Sequence, residues 1–125
     1  MDHASLRPMP GGGLFSTAVD VARFCQMVLN GGVIQGKRYL SEKAVQTMTS
    51  KQTCEALKDG YGLGWSTHDG VFGHGGAHAT NMTIDSHRGL ITVFMVQHAG
   101  FPKDGSKSQG AFQEAALERF GKTAN

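Results

Sequence analysis

Val71-Phe72-Gly73-His74-Gly75-Gly76-Ala77-His78-Ala79-Thr80-Asn81 is the segment around which the other elements of this 125-residue chain are arranged. The segment begins with an apolar pair, places a histidine among glycines, and leads into the alternating run Met82–Asp85. Glycine inside a strand lowers the stability of that strand, and it typically marks a bulge or the close approach of a ligand or another backbone. The pattern therefore predicts a strand and a bend that leave room for a second group.

The residues after this segment predict further strands and a closing helix. Ser86–Gly89 is typical of a turn, and it follows the alternating strand Met82–Asp85. Leu90–Val96 is almost continuously apolar and rich in β-branched residues, which predicts a central strand covered on both faces. Near the end of the chain, one helical stripe is expected to pack on the sheet, and it consists of Phe112, Ala115, Ala116 and Phe120.

The residues before the segment predict two helices. Thr17 and Asp20 fit a capping box, apolar residues recur at helical spacing up to Leu29, and the glycines after Asn30 end the helix. Ser41 can cap a second, shorter helix that runs to about Met48. A tight turn or short hairpin is expected between the two helices.

An aromatic pattern precedes the segment. Tyr61, Leu63 and Trp65 alternate with small residues, which predicts a strand, and His68-Asp69-Gly70 predicts the turn that returns the chain into the segment. Aromatic residues that alternate on a strand usually lie in the core, so we favour core positions over a ligand groove.

These patterns together predict an α+β fold. It would contain an antiparallel sheet of three to four strands, two N-terminal helices, and a C-terminal helix packed on the sheet. Residues 1–13 are rich in proline, glycine and polar residues, and they are expected to form a flexible arm or linker before a domain at residues 14–125.

Composition excludes several classes of function. The formal net charge is +2 and the basic residues are scattered, so we expect no nucleic-acid partner. No apolar run is long enough to span a bilayer and the first residues lack signal-peptide regions, so we expect no membrane partner and infer no localisation. The two cysteines do not form a C-x-x-C pair, and Cys25 is expected to be a small buried hydrophobic residue.

The order of several motifs resembles the C-terminal portion of the serine β-lactamase and penicillin-binding-protein superfamily. The resemblance is to the class C-like branch, which also holds esterases and D-aminopeptidase-like hydrolases. It covers nearly the whole chain from Pro10 onward, and the motifs that carry it are Gly12–Phe24, Tyr61-Gly62-Leu63-Gly64-Trp65, Gly73-His74-Gly75-Gly76, Leu90–Gln97 and the terminal helix.

The resemblance implies roles for four residues. In that family a serine on an S-x-x-K helix attacks an acyl carbonyl, and a K-T-G motif completes the pocket. The resemblance places His74-Gly75-Gly76 at the K-T-G position, so that His74 would bind a substrate carboxylate or tune the site, and Gly75 would replace the hydroxyl residue. The backbone N–H of Ala77 would be one of two oxyanion-hole donors. No cofactor and no metal are implied.

Two motifs of the family are absent from the sequence, namely the S-x-x-K motif that holds the nucleophile and the Y-x-N motif that assists proton transfer. No serine is followed three residues later by lysine, and neither Tyr39 nor Tyr61 is followed two residues later by asparagine. The resemblance therefore implies a C-terminal fragment of a β-lactamase-related serine hydrolase that is not catalytic alone. Its partners would be a missing N-terminal half or a second copy of the chain, in a homo-oligomer or domain swap, and a small acyl substrate in the intact fold.

Several alternatives remain open at this point. The chain could instead be a binding or oligomerisation module that uses an exposed sheet edge, or a small hydrolase with an unrecognised nucleophile. His74 could be an inert edge histidine, and its spacing from His78 suits a metal pair only on a helix. Asn81 and Gln97 fit either pocket polar groups or hydrogen bonds at strand ends.

Overall fold

The computed structural model describes residues 11, 12, 14–98, 105 and 107–121. The arm expected at residues 1–13 therefore lies outside the described residues, except for Gly11 and Gly12. The elements in chain order are α1 (Ala18–Leu29), β1 (Val33–Ile34), β2 (Lys37–Arg38), α2 (Glu42–Thr49), β3 (Ser66–His68), β4 (Val71–Gly75), β5 (Asn81–Asp85), β6 (Leu90–Phe94) and α3 (Ser108–Phe120). The predicted α+β class is confirmed.

Helix α1 begins and ends as its sequence predicts. The Thr17 hydroxyl accepts a hydrogen bond from the Asp20 N–H at 3.2 Å, which satisfies a free donor of the first turn. At the other end the Gly32 N–H donates to the Met27 carbonyl at 2.8 Å, and Gly31 and Gly32 both have positive φ. Both ends of α1 are formed by local hydrogen bonds, because the bonded residues lie within five positions of each other along the chain.

The connection to α2 also matches its prediction. Strands β1 and β2 pair as a short antiparallel hairpin, and the Ser41 hydroxyl accepts from the Ala44 N–H at 3.1 Å to cap α2. Helix α2 then ends at Thr49.

Strands β3, β4, β5 and β6 form one antiparallel sheet in that order. The prediction that Leu90–Val96 is a central strand was wrong in two respects. The strand ends at Phe94, and among the described residues it lies at one end of the sheet. Helix α1 packs against one face of β6, and helix α3 packs against the other face of this strand. Its continuous hydrophobicity therefore reflects cover by two helices rather than neighbours on both edges.

Residues 61–65 do not form the predicted strand. Tyr61 makes a single bridge to Ser66, and β3 starts only at Ser66. The Leu63 N–H donates to the Met48 carbonyl at the end of α2, at 2.8 Å. This bond ties residue 63 to the end of α2 rather than to the sheet, and the Leu63 side chain is exposed whereas Trp65 is buried.

The core lies between α1 and the sheet. Its fully or almost fully buried residues come from α1, α2, the segment before β3, and strands β4 and β5, and they include Cys25, Val28, Trp65, Phe72 and Ile84. The Trp65 ring stacks on Phe24 at a centroid distance of 5.9 Å and meets Phe72 edge-on at 5.6 Å. The predicted core positions of Cys25 and Trp65 are confirmed.

Helix α3 exists as predicted, but its predicted stripe is only partly right. Phe112 contacts Phe94 of β6 with ring centroids 5.5 Å apart, whereas Ala115 and Phe120 are exposed. Gln113 faces the sheet instead and bonds to β5. The strand face below α3 carries polar side chains, so a glutamine fits it better than a second aromatic ring. None of the described helices is long and apolar enough to cross a membrane.

Candidate functional site

The candidate site lies where β4 extends beyond its outer neighbour. Strand β3 pairs with β4 only as far as the pair Ser66 and Gly73. His74 and Gly75 continue to pair with β5 on the inner side, opposite Met82 and Asn81. Within the described part of the chain, their outer edge therefore has no strand beside it.

A tight turn follows β4 and is closed by two backbone hydrogen bonds. The Gly76 N–H donates to the Thr80 carbonyl at 2.8 Å and the Ala79 N–H donates to the Gly76 carbonyl at 3.1 Å. A Cβ on Gly76 would lie 2.3 Å from the Thr80 hydroxyl oxygen, so a side chain here would require the Thr80 side chain to move. Ala77 is exposed, and its N–H has no acceptor among the described residues. The oxyanion role of that N–H stays a prediction.

The His74 side chain is oriented by two neighbours. Its Nδ1 donates to the Gly75 carbonyl, since a carbonyl can only accept. The Tyr61 ring meets the imidazole edge-on, with centroids 5.9 Å apart. In the neutral ring this leaves Nε2 as the acceptor atom, free to take a proton or hydrogen bond from a ligand.

Two open clefts meet at this strand end. One, of about 630 Å³, follows the outer side of β3 and β4, and the other, of about 790 Å³, lies on the α1 side and is lined by residues such as Val21, Met82 and Met95. The residues that line both clefts are Tyr61, His74, Gly75 and Asn81. A ligand that spans the two clefts would cross His74 and Gly75.

Gly75 has more space around it than Gly76 does. A Cβ at Gly75 would find its nearest neighbours, the Thr80 carbonyl oxygen and the Asn81 Nδ2, at 3.6 and 3.7 Å. These are ordinary contact distances, so a side chain would fit. Glycine here leaves open space beside the Asn81 amide.

Asn81 belongs to a hydrogen-bond cluster that joins β5 to α3. Its Oδ1 accepts from the Thr83 hydroxyl at 3.0 Å and from Gln113 Nε2 at 3.1 Å. Gln113 Nε2 also lies 3.2 Å from the Thr83 hydroxyl oxygen. Of the two residues left open by the sequence, Asn81 thus borders the clefts, whereas Gln97 is exposed beyond β6.

Sequence reasoning missed Tyr61 and Gln113 as members of this site. Tyr61 was expected in the core, but it is 38% exposed and lines both clefts. Gln113 carried a signal that went unused, because it is a polar residue directly beside Phe112 in the stripe expected to face the sheet.

Serine and cysteine side chains give no nucleophile with a base in the described part of the chain. The described serine hydroxyls that donate, those of Ser16, Ser50 and Ser86, do so to backbone carbonyls. Cys25 is fully buried, and desolvation raises the pKa of its thiol to about 11, so the reactive thiolate is disfavoured. Among the described residues, the geometry offers a cleft surface with oriented hydrogen-bond donors and acceptors.

Comparison with known proteins gives a consistent picture. The family model for Beta-lactamase matches residues 1–116. Protein Rv1367c and the uncharacterized protein MT1414, from two strains of Mycobacterium tuberculosis, are each 30% identical to the chain, over alignments that cover 70% of it. The chain spans 28% of the length of these relatives.

A solved structure shares the fold. A candidate 6-aminohexanoate-dimer hydrolase from Bacillus anthracis matches with a TM-score of 0.64 at 24% sequence identity. The match covers 82% of this chain and 29% of the other.

Proposed function

This chain belongs to the β-lactamase family, and we propose that it supplies one wall of the acyl-binding cleft of a β-lactamase-related serine hydrolase. Residues 14–125 would form the C-terminal part of the domain, and the nucleophilic serine and its base would come from residues outside this chain. The observation that carries the proposal is the exposed end of β4, where His74 and Gly75 line both clefts.

The proposal gives each residue at this strand end a chemical role. His74 Nε2 would face the substrate as acceptor or, when protonated, as a cation for a carboxylate, since Nδ1 is held by the Gly75 carbonyl. The exposed Ala77 N–H would donate to the carbonyl oxygen of the substrate as negative charge develops on it. Removal of one such donor typically lowers the rate about a hundredfold to a thousandfold.

The proposal also states that the 125-residue chain does not hydrolyse acyl substrates by itself. Acyl-enzyme chemistry needs a nucleophile within hydrogen-bond reach of a base, about 2.6–3.2 Å. No serine of the chain is followed three residues later by lysine, and the described serine hydroxyls that donate do so to backbone carbonyls, which argues against such a pair.

The test is hydrolysis and active-site labelling of the chain. The purified chain is incubated with a chromogenic short-chain ester, a chromogenic β-lactam and a fluorophosphonate probe, next to an active full-length hydrolase of the family as positive control. We expect neither turnover nor labelling of the chain. Labelling at one serine, abolished by its change to alanine, would refute the half-site and identify a nucleophile.

A second candidate function is assembly with another chain through the sheet edge at β6. Helices cover both faces of β6, but among the described residues no further strand pairs with its outer edge. At the start of α1, Leu14, Phe15 and Val19 are 93%, 94% and 61% exposed. Exposed strand edges pair with other strands, and apolar patches favour association. The occupant would be the remaining part of a hydrolase domain or a second copy of the chain.

Solution measurements test this assembly. Sedimentation at several concentrations and binding of an apolar-surface dye would be measured for the wild type and for Phe15→Ser. We expect concentration-dependent association and dye binding that both decrease in the variant. A monodisperse monomer that binds no dye would contradict the proposal.

A further inference from the structure

We propose that Asn81 binds a neutral carbonyl oxygen of the substrate through its side-chain amide, and that Gln113 of α3 is the positioning residue that points this amide into the cleft. The inference rests on the proposed function, because it assumes that a ligand lies along β4. It adds a recognition group, and a helix that controls its orientation, to the site.

The first step is the orientation of the Asn81 amide. Its Oδ1 is already occupied by two donors, Thr83 Oγ1 and Gln113 Nε2. The opposite end of the amide, Nδ2, has no acceptor among the described residues. No buried side-chain nitrogen or oxygen in that part of the chain lacks a partner, so Nδ2 must reach solvent. The amide is thus held with its donor end toward the open side.

The second step is the space in front of this donor. Nδ2 lies 3.7 Å from the point where a Cβ of Gly75 would be, and both residues line both clefts. The resemblance places a hydroxyl residue of the family at Gly75. In this chain the bare glycine and the Asn81 amide together replace it, with a hydrogen-bond donor supplied from the neighbouring strand.

The third step is the chemistry of the ligand. The residues common to both clefts carry no fixed charge, and the permanently charged residues that line the clefts, Lys58 and Asp59, have opposite signs. A neutral N–H donor in such surroundings suits the carbonyl oxygen of an amide or ester better than a free carboxylate. We therefore assign the acyl or amide portion of the substrate, rather than a terminal carboxylate, to Asn81.

Gln113 makes the orientation testable because its amide can be changed without a large change in shape. It donates to Asn81 Oδ1 from α3, 32 residues further along the chain. In Gln113→Glu the side chain accepts at neutral pH, so Asn81 must turn its Nδ2 toward Glu and its Oδ1 toward the cleft. In Asn81→Asp the bonds from Thr83 and Gln113 are kept, but an acceptor faces the cleft.

The experiment is a titration of the 125-residue chain followed by ¹H–¹⁵N NMR. The probe is N-acetylglycine N-methylamide, which is neutral and carries two amide carbonyls, and acetate, which has no amide, serves as the carboxylate arm. In the wild type we expect the neutral probe to shift the Asn81 side-chain NH₂ signals and the backbone signals of residues 74–77. Both variants should weaken binding about threefold to tenfold, the range expected for one neutral hydrogen bond.

Gln109→Glu is the matched control, since it makes the same charge change one turn earlier on α3. It should bind the probe like the wild type. The Asn81 NH₂ signals should move in unliganded Gln113→Glu and not in Gln109→Glu, which separates a turned amide from a general effect of charge. The inference is overturned if the wild type shows no probe-induced shift at the Asn81 NH₂, if Asn81→Asp binds equally well, if Gln109→Glu loses the same affinity, or if acetate shifts the Asn81 NH₂ signals more than the neutral probe does.

The two proposals can fail separately. Labelling of a serine by the fluorophosphonate probe would contradict the half-site without affecting the titration. Loss of the Asn81 contact in the titration would leave the assignment of the cleft wall to be judged by hydrolysis and labelling.

Discussion

The two faces of the four-stranded sheet are built on different principles. The α1 face is apolar and carries the buried core, with Cys25 and Ile84 fully buried and Val28 and Trp65 almost so, and its edge near Met95 opens into the cleft of about 790 Å³. The α3 face is polar and loosely covered, because none of the described α3 residues is buried and a cavity of about 300 Å³ lies between α3 and the sheet. The strand residues below α3 include Thr83, Asp85 and Thr92.

This difference separates stability from recognition. Burial of apolar surface contributes most of the favourable free energy of folding, and here it is concentrated on the α1 face. On the α3 face, hydrogen bonds such as those of Gln113 hold polar side chains in defined orientations. Each such bond adds only a modest amount to stability. The site lies at the end of β4. The strands that carry its backbone pack on the α1 side, whereas the side-chain amide of Asn81 is bonded by Gln113 on the α3 side.

The largest effect should come from a cavity in the α1 face. Ile84→Ala removes a fully buried side chain from the middle of the sheet, and we expect a loss of about 2–5 kcal/mol in the free energy of unfolding. Phe120→Ala on α3 removes a larger side chain that is 67% exposed, and it should change stability by no more than about 0.5 kcal/mol. Urea unfolding followed by circular dichroism measures both variants. Equal losses in the free energy of unfolding would contradict the difference between the two faces.

The next effect compares two glycines of β4. A Cβ on Gly73 would lie 2.2 Å from the Met82 carbonyl oxygen, so Gly73→Ala must shift the backbone and should cost about 1–3 kcal/mol. Gly75→Ala has its nearest neighbour at 3.6 Å and should stay within about 0.5 kcal/mol of the wild type. The same unfolding measurement applies, and a costly Gly75→Ala would show that the cleft beside Asn81 is less open than described.

A smaller, pH-dependent effect belongs to the α3 face. Burial raises the pKa of the Asp85 carboxyl, but hydrogen bonds and the charge of Arg88 outweigh burial and leave this pKa below its usual value. Because the folded pKa is the lower one, the pair stabilises the fold above the unfolded pKa of about 3.9 and this contribution is lost as the pH falls through the folded pKa. Asp85→Asn should cost about 1 kcal/mol at pH 7, since the Arg88 side chain is half exposed.

The pH profile of unfolding tests this assignment. Asp85→Asn should lose less stability than the wild type as the pH falls below about 4. Asp59→Asn, which changes an exposed carboxylate, serves as the control and should keep the wild-type profile. An unchanged profile in Asp85→Asn would mean that the acid loss arises elsewhere.

The smallest perturbation is chemical labelling without mutation. Cys54 is exposed and Cys25 is fully buried, with burial raising the pKa of its thiol to about 11. Iodoacetamide at pH 8 should therefore label Cys54 in the folded chain and both cysteines in urea. Mass spectrometry of the peptides gives the result, and rapid native labelling of Cys25 would show that the α1 face opens readily.

The sequence by itself determined the features that neighbouring residues close among themselves. The caps at Thr17 and Ser41, the end of α1 and the turn at Asp69 involve bonds within a few positions, so residue types and spacing were sufficient to predict them. The order of the elements and the α+β class followed from the same local patterns.

Only the tertiary structure decided the features that join distant residues. The sheet order that leaves β6 at an end, the turn of Tyr61 onto the clefts, and the bond from Gln113 to Asn81 depend on groups that meet only after folding. Hydrophobic periodicity reports whether a residue is covered, but not which element covers it. For this reason the sequence could predict the strand that carries His74, while the polar groups around it became visible only in three dimensions.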